Sequence, residues 1–225
     1  MAEGPERVIF DEPEPKKTFF GRSYFPPPEK VSHFSNLQFK EEYKTRKVHL
    51  IINPYSGKKK GLEVGSIVEK ELSNSKIEVK KYITNEPNHA ISIAQELDLE
   101  EGDSIGTVGG DGTFCEVISG FMSRNDESNN SIPLALVPAG TGNSQANDME
   151  ITDYMDAIER IVRGRVRLID IAETKYDFEG ERITRHSHNL VGWGLGVDSN
   201  ILAEKMRFLG PLRYDIGVLL SILRG

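Results

Sequence analysis

Apolar residues come in short bursts along the middle of this chain, and each burst runs into a polar or glycine-rich loop. Lys47-Val48-His49-Leu50-Ile51-Ile52 is the first, ending at Asn53-Pro54. A strand that short and apolar belongs inside a parallel sheet, where both faces are covered. The following apolar positions, Leu62, Ile67, Val68 and Leu72, carry a helical pattern. Ile77, Val79, Tyr82 and Ile83 predict a second strand, and Pro87 among polar caps announces a helix from His89 to Leu97. Ser104 to Val108 predicts a third strand. After it, Phe114, Val117, Ile118 and Phe121 recur at i, i+3, i+4 and i+7, one face of an amphipathic helix. Pro133 to Val137 predicts a fourth strand. Strands alternating with helices across short loops specify an α/β domain with a mainly parallel sheet. Further on, the pattern predicts a helix from Tyr154 to Val162, a strand over Arg165 to Ile171, and a hairpin centred on Glu179-Gly180 that returns through His188 to Val191.

Three of the strands deliver the chain to loops of unusual composition. The first is Asn53-Pro54-Tyr55-Ser56-Gly57 with Lys58, Lys59 and Lys60 behind it; the second is Gly109-Gly110-Asp111-Gly112-Thr113; the third is Pro138-Ala139-Gly140-Thr141-Gly142-Asn143. Ligands of open α/β sheets bind beyond the carboxyl ends of the strands, so all three loops could line one crevice. The glycines of the second loop put no Cβ between a ligand and the main chain. The helix after it offers unpaired N–H groups and a positive dipole end to an anion. Asp111 is out of place beside phosphate unless a cation or a proton transfer employs it. A single G-x-D-G turn is an ordinary strand-to-helix connection; three such loops on one sheet are what a phosphate donor needs. Thr113 is placed either to cap the helix or to meet the ligand. The three lysines read as a solvated surface run, His89 as a helix-surface residue and Cys115 as a small packed side chain.

Composition narrows the function classes. The 225 residues carry 28 Lys plus Arg against 35 Asp plus Glu, and the net charge of -7 argues against a nucleic-acid partner. One cysteine cannot form an internal disulfide, which fits a reducing, cytoplasmic compartment. There is no apolar leader and no stretch near the roughly 18 apolar residues of a membrane span. Residues 1–46 form a Pro-rich, partly disordered arm, with six of the eleven prolines before Tyr43. Phe19, Phe20, Tyr24, Phe25 and Phe34 are many aromatics for a solvated tail, so part of the arm is expected to dock. Oligomeric state leaves no signature in the sequence.

The three loops, in this order and with Glu116 and Val117 behind the second, resemble the lipid kinases of the diacylglycerol kinase, sphingosine kinase and ceramide kinase superfamily. Trp193-Gly194-Leu195-Gly196-Val197-Asp198, then Glu204 to Gly210, then Arg213-Tyr214, is similar to sphingosine and ceramide kinases in particular. The resemblance implies a Rossmann-like nucleotide-binding α/β domain, of the kind phosphofructokinases and NAD kinases also use, over residues 47–164. Residues 165–225 would then begin a second, β-rich, lipid-binding domain, and the chain would be a fragment of the family's usual length. It also implies transfer of the γ-phosphate of ATP, with Mg2+ bound through the phosphates, to a lipid hydroxyl at a membrane surface, hence cytoplasmic location with peripheral membrane association.

Carried over residue by residue, the resemblance makes Asp111 the base that prepares the acceptor hydroxyl. Asn53, Pro54, Tyr55, Ser56, Gly57, Thr84, Asn88, Gly109, Gly110, Gly112, Thr113, Glu116, Gly140, Thr141, Gly142 and Asn143 match nucleotide-contacting positions, and Arg207 and Arg213 match basic residues that hold its phosphates. Asp198 and Asn200 match lipid-binding positions, and no residue matches a metal ligand. Sphingosine kinases have an acid where this chain has Asn200; an amide makes no charge-assisted contact with a cationic headgroup, which leaves ceramide, diacylglycerol or another neutral hydroxyl lipid open beside the sphingoid bases. Valine at Gly110 or Gly140 is expected to weaken nucleotide binding more than stability. Two other readings stand beside the kinase: a soluble enzyme like the NAD kinases, and a nucleotide-binding protein without catalysis.

Overall fold

The structure is a computed structural model that describes residues 16–17, 23–24, 43–126, 131–140, 142–164, 166–188, 195–206, 209–210 and 212–224. The chain divides into two compact units, residues 1–38 and 39–225. In the first, Lys16–Lys17 (β1) pairs antiparallel with Ser23–Tyr24 (β2). The aromatic residues Phe19, Phe20, Phe25 and Phe34, expected to dock, lie outside the described residues.

The second unit is built on a four-stranded, wholly parallel sheet. Its strands are Lys47–Ile52 (β3), Glu78–Ile83 (β4), Asp103–Gly109 (β5) and Leu134–Pro138 (β6), in the order β4-β3-β5-β6. Between them run a short turn, Ser56–Lys59 (α1), and the helices Gly61–Asn74 (α2), His89–Glu96 (α3) and Asp111–Met122 (α4). After β6 come Ser144–Asp148 (α5) and Tyr154–Arg163 (α6). Every residue of β5 is buried, as in an interior parallel strand covered on both faces, although only Ile105 and Val108 among them are large apolar side chains. Val64, Val68 and Leu72 of α2 join Ala157, Ile158 and Ile161 of α6 over Val48, Leu50 and Ile52 of β3. Ala90 and Ala94 of α3, with Val117 and Phe121 of α4, pack with Ile51 and Ile105 in a second cluster. After β3 the chain enters α2, which packs with α6, and after the neighbouring β5 it enters α4, which packs with α3, so the sheet has its switch point between β3 and β5.

Helix α6 shows why the capping pattern is readable. Asp153 accepts from the N–H groups of Met155 and Asp156, and Gly164 ends the helix at φ 64°. The chain then departs from the expected path. Of the strand predicted over Arg165 to Ile171, the described residues 166–171 show only an isolated bridge at Val166; Ala172–Phe178 (β7) and Glu181–Ser187 (β8) form an antiparallel hairpin turning at Glu179 and Gly180, both at positive φ. Leu195–Lys205 (α7) and Leu212–Arg224 (α8) follow. Gly217 of α8 lets that helix lie against Ser199 O and Ala203 of α7. No helix among the described residues is long and apolar enough to cross a membrane.

A polar network closes the amino ends of β3 and β5, away from the loops. Asp103 is 3% exposed. One of its carboxylate oxygens takes the Glu100 N–H at 3.0 Å, pairs with His49 Nε2 at 2.9 Å and meets Lys47 Nζ at 3.2 Å. His49 Nδ1 lies 3.1 Å from Tyr82 Oη, and Tyr43 Oη donates to the Asp103 carbonyl at 2.6 Å. Burial alone would raise the Asp103 carboxyl. The Glu100 N–H and the His49 and Lys47 side chains outweigh it and hold the group below the ordinary aspartate value. Nothing in the hydrophobic pattern signals this cluster.

Candidate functional site

The loops that follow β3, β5 and β6 meet at the carboxyl edge of the sheet. In the first, Asn53 Oδ1 accepts from the Tyr55 N–H at 3.0 Å, and its Nδ2 donates to Thr113 Oγ1 at 2.9 Å. Thr113 therefore does not cap α4. It is the third residue of that helix, its N-cap is Gly110, and its hydroxyl ties the second loop to the first. Pro54 is half-buried, Tyr55 exposed and Ser56 buried. Gly57, Lys58 and Lys59 then run at φ 53°, 61° and 69°. Three consecutive left-handed residues, two of them not glycine, cost roughly 1–2 kcal/mol for each non-glycine and are held only by surrounding contacts. Such a contact is visible at Gly57, where a Cβ would collide with the Ala139 carbonyl of the third loop.

The second and third loops are laid backbone against backbone. The Ala139 N–H donates to Gly109 O at 2.8 Å. A Cβ on Gly140 would stand 2.6 Å from Gly110 Cα and 2.8 Å from Asn143 Oδ1. Asn143 braces this contact, accepting from the Gly140 N–H at 2.9 Å and donating back to its carbonyl at 3.1 Å. Gly109, in turn, has Thr113 where its Cβ would be. Neighbouring protein leaves no room for a Cβ at 57, 109 and 140, and a tight fit at 110, where Gly140 Cα would stand 3.3 Å away. Valine at Gly140, and less severely at Gly110, would therefore press on loop packing as well as on any bound nucleotide. At Gly112 the picture differs: nothing lies within 4 Å of a built Cβ, and the residue is exposed in the first turn of α4.

Asp111 is the first residue of α4, and its carboxylate reaches across to the third loop. Oδ2 accepts from the Ser144 N–H at 3.0 Å and Oδ1 from the Gln145 N–H at 2.9 Å. These are N–H groups at the start of α5, a helix whose own N-cap, Asn143 at φ 50°, supplies no side-chain bond. The acid is thereby aimed by two backbone donors, while its remaining lone pairs stay available for a ligand proton. Gln145, 1% exposed, donates from Nε2 to Cys115 Sγ at 3.1 Å, one turn beyond Asp111 on α4. Cys115 is half-buried and packed, as its position predicts. His89 is half-buried rather than a free surface residue, with Nδ1 accepting from the Asn85 N–H at 3.2 Å.

The remaining positions are more dispersed. Thr84, buried beyond β4, donates its N–H to Ile52 O at 2.9 Å. Asn88, at φ 67° before α3, meets Arg185 Nη2 of β8 at 3.3 Å. Glu116 is half-buried on α4, and Asp198 and Asn200 are exposed on α7. Arg213 is 7% exposed on α8, near Glu204, and Gly142 stands by Asp111. Thr141 and Arg207 lie outside the described residues. Ser144 and Gln145 escape a reading of the sequence because polar residues in a five-residue helix carry no periodicity.

Comparison with known proteins fits this geometry. Residues 47–174 match the model of the diacylglycerol kinase catalytic domain. The chain is 33% identical over 174 residues to sphingosine kinase B of Dictyostelium discoideum, covering 74% of this chain and 23% of that protein. It is 30% identical over 181 residues to sphingosine kinase 1 of Arabidopsis thaliana, covering 76% of this chain and 36% of that one. A crystal structure of a diacylglycerol kinase from Bacillus anthracis shares the fold, with a TM-score of 0.53 at 24% identity over 71% of this chain and 54% of that one. The chain spans only part of these relatives, from about a quarter to about half of their length. With the family match extending over more than half of its residues, from β3 into β7, the chain belongs to the diacylglycerol kinase catalytic domain family.

Proposed function

We propose that this protein is a lipid kinase that transfers the γ-phosphate of ATP to the hydroxyl of a sphingoid base, ceramide or diacylglycerol. The observation that carries this reading is the carboxylate of Asp111, held by the Ser144 and Gln145 N–H groups at the edge where three loops converge. In the reaction the acceptor oxygen bonds to the γ-phosphorus, the bond from that phosphorus to the β–γ bridging oxygen breaks, ADP leaves, and Asp111 takes the acceptor proton. Such transfers demand positioning and charge neutralisation more than covalent chemistry. The N–H groups of the first turn of α4 and the open face at Gly112 suit a phosphate chain. Asn53 to Gly57, Thr84, Asn88, Glu116 and Arg213 would complete the nucleotide site. In this reading Mg2+ would travel with the phosphates and would supply charge neutralisation. Leu212, Leu219, Ile222 and Leu223 of α8 are exposed, which suits access to a lipid surface.

The test is incorporation of labelled phosphate from ATP into a panel of sphingosine, ceramide and diacylglycerol in mixed micelles. Absence of transfer to any of them by the full-length protein would overturn the reading. The glycines give a second, sharper test. Gly112→Ala is expected to leave the melting temperature unchanged or raise it, since alanine is the better helix former by about 0.8–1 kcal/mol, yet to weaken ATP binding about tenfold or more. Gly140→Val is expected to lose about 1–3 kcal/mol of stability together with binding, from overpacking. Nucleotide titration beside thermal unfolding separates the two; ATP affinity unchanged in Gly112→Ala would show that this face meets no nucleotide.

A further inference from the structure

Gly142 has no conformational need to be glycine, because its φ lies outside the left-handed region. It has no crowding neighbour either. A Cβ there would meet only two atoms at ordinary contact distance, Asp111 Oδ2 at 3.7 Å and Tyr214 Oη at 4.0 Å. Asp111 Oδ2 and Tyr214 Oη therefore both lie beside the exposed main chain of Gly142, each about 4 Å from where a side chain would begin. Tyr214 comes from α8, so the helical pair beyond the hairpin reaches the third loop at this point.

The environment of Tyr214 makes its hydroxyl a good donor. Arg213 Nη2 donates to Tyr214 Oη at 2.7 Å, and the guanidinium lies 4.7 Å over the same ring. Arg213 is itself buried, with its Nε unpartnered and Glu204 Oε1 3.6 Å from Nη2. An oxygen that accepts from a cation gives up its own proton more readily to a hydrogen bond. That O–H is the one Tyr214 can turn toward the space beside Gly142. An alcohol oxygen seated there would find an acceptor for its proton in Asp111 and a donor for one lone pair in Tyr214, with its second lone pair left for phosphorus.

The geometry points to Tyr214 as the acceptor-binding residue that holds the lipid hydroxyl against Asp111, and to the space at Gly142 as the seat of that hydroxyl. This rests on the kinase reading above and adds to it the group that fixes the acceptor. The transfer itself keeps the balance already given, since Tyr214 retains its proton throughout. Tyr214→Phe removes only the oxygen and keeps the ring under Arg213. In the full-length protein, the KM for the acceptor lipid should rise about tenfold, the loss of one hydrogen bond of about 1.4 kcal/mol. The KM for ATP and nucleotide affinity by titration should change much less than the acceptor KM, while the melting temperature should fall, because buried Arg213 Nη2 loses its acceptor on Tyr214. An unchanged acceptor KM in an active enzyme overturns the proposal while leaving the kinase reading standing. An equal rise in both KM values also overturns it, in favour of a tyrosine that acts only by positioning Arg213. If the unaltered protein phosphorylates no lipid, the kinase reading fails and this assignment fails with it.

Discussion

Replacing Asp111 with asparagine is expected to reduce phosphoryl transfer by about 10²- to 10⁴-fold, the usual loss when a general base is removed. The geometry adds a second, smaller effect. Asparagine keeps one oxygen for the Ser144 or Gln145 N–H but turns an amide donor toward the other, where two donors then face each other. Loss of one bond to a charged acceptor costs about 1.5–3 kcal/mol, so the variant should also melt at a lower temperature. Turnover must accordingly be measured well below that melting point, alongside ATP titration to show that the nucleotide site persists. Near-normal turnover of the folded variant on a lipid that the unaltered protein phosphorylates would remove Asp111 from the chemistry and leave it as the tie between two loops.

At the other end of the same strands, Asp103→Ala is expected to cost about 3–5 kcal/mol of stability, because it leaves His49 and Lys47 facing a buried site with no acid. The pH dependence has a definite sign. Asp103 is held below the ordinary aspartate value, so its contribution is full above the unfolded-state value of about 3.9 and disappears as pH falls through the lower folded value. Urea unfolding at pH 7 and again below pH 4 should therefore show the gap between variant and unaltered protein narrowing in acid. A gap that does not change with pH would mean that Asp103 acts through packing rather than charge. ATP affinity of the folded variant should not change, since the network lies away from the loops.

These two acids mark what the sequence makes legible. Asp111 stands out because glycines surround it between an apolar strand and an amphipathic helix, and β3, β5 and β6 are legible for the same reason: a short buried run ending in a loop. Asp103 does not stand out, because an acid at the start of a strand looks like a solvated end; its partners arrive from β3 and the segment at Tyr43, with Tyr82 of β4 behind His49. The hairpin turn at Glu179-Gly180 is read correctly, but its first strand is placed too early in the chain. β7 does alternate, with Ala172, Thr174, Tyr176 and Phe178 set against Glu173, Lys175 and Asp177, but it is exposed along almost its whole length and follows a more apolar run that draws the prediction. The left-handed turn through Lys58 and Lys59 is invisible because residue type argues against it. Glycines are legible as glycines but not for their cause: at Gly140 the missing Cβ makes room for Gly110, whereas at Gly112 and Gly142 it leaves open or ordinary space.

The reach of Asp111 into the first turn of α5 bears on how such sites can be recombined. The acid belongs by sequence to one loop and by orientation to another, and Gly140 fits against Gly110 with almost no clearance. A chimera that takes residues 109–113 from a relative but keeps its own 139–145 would inherit the carboxylate without the donors that aim it. The two segments form one heritable part, and an exchange between relatives has to move them together.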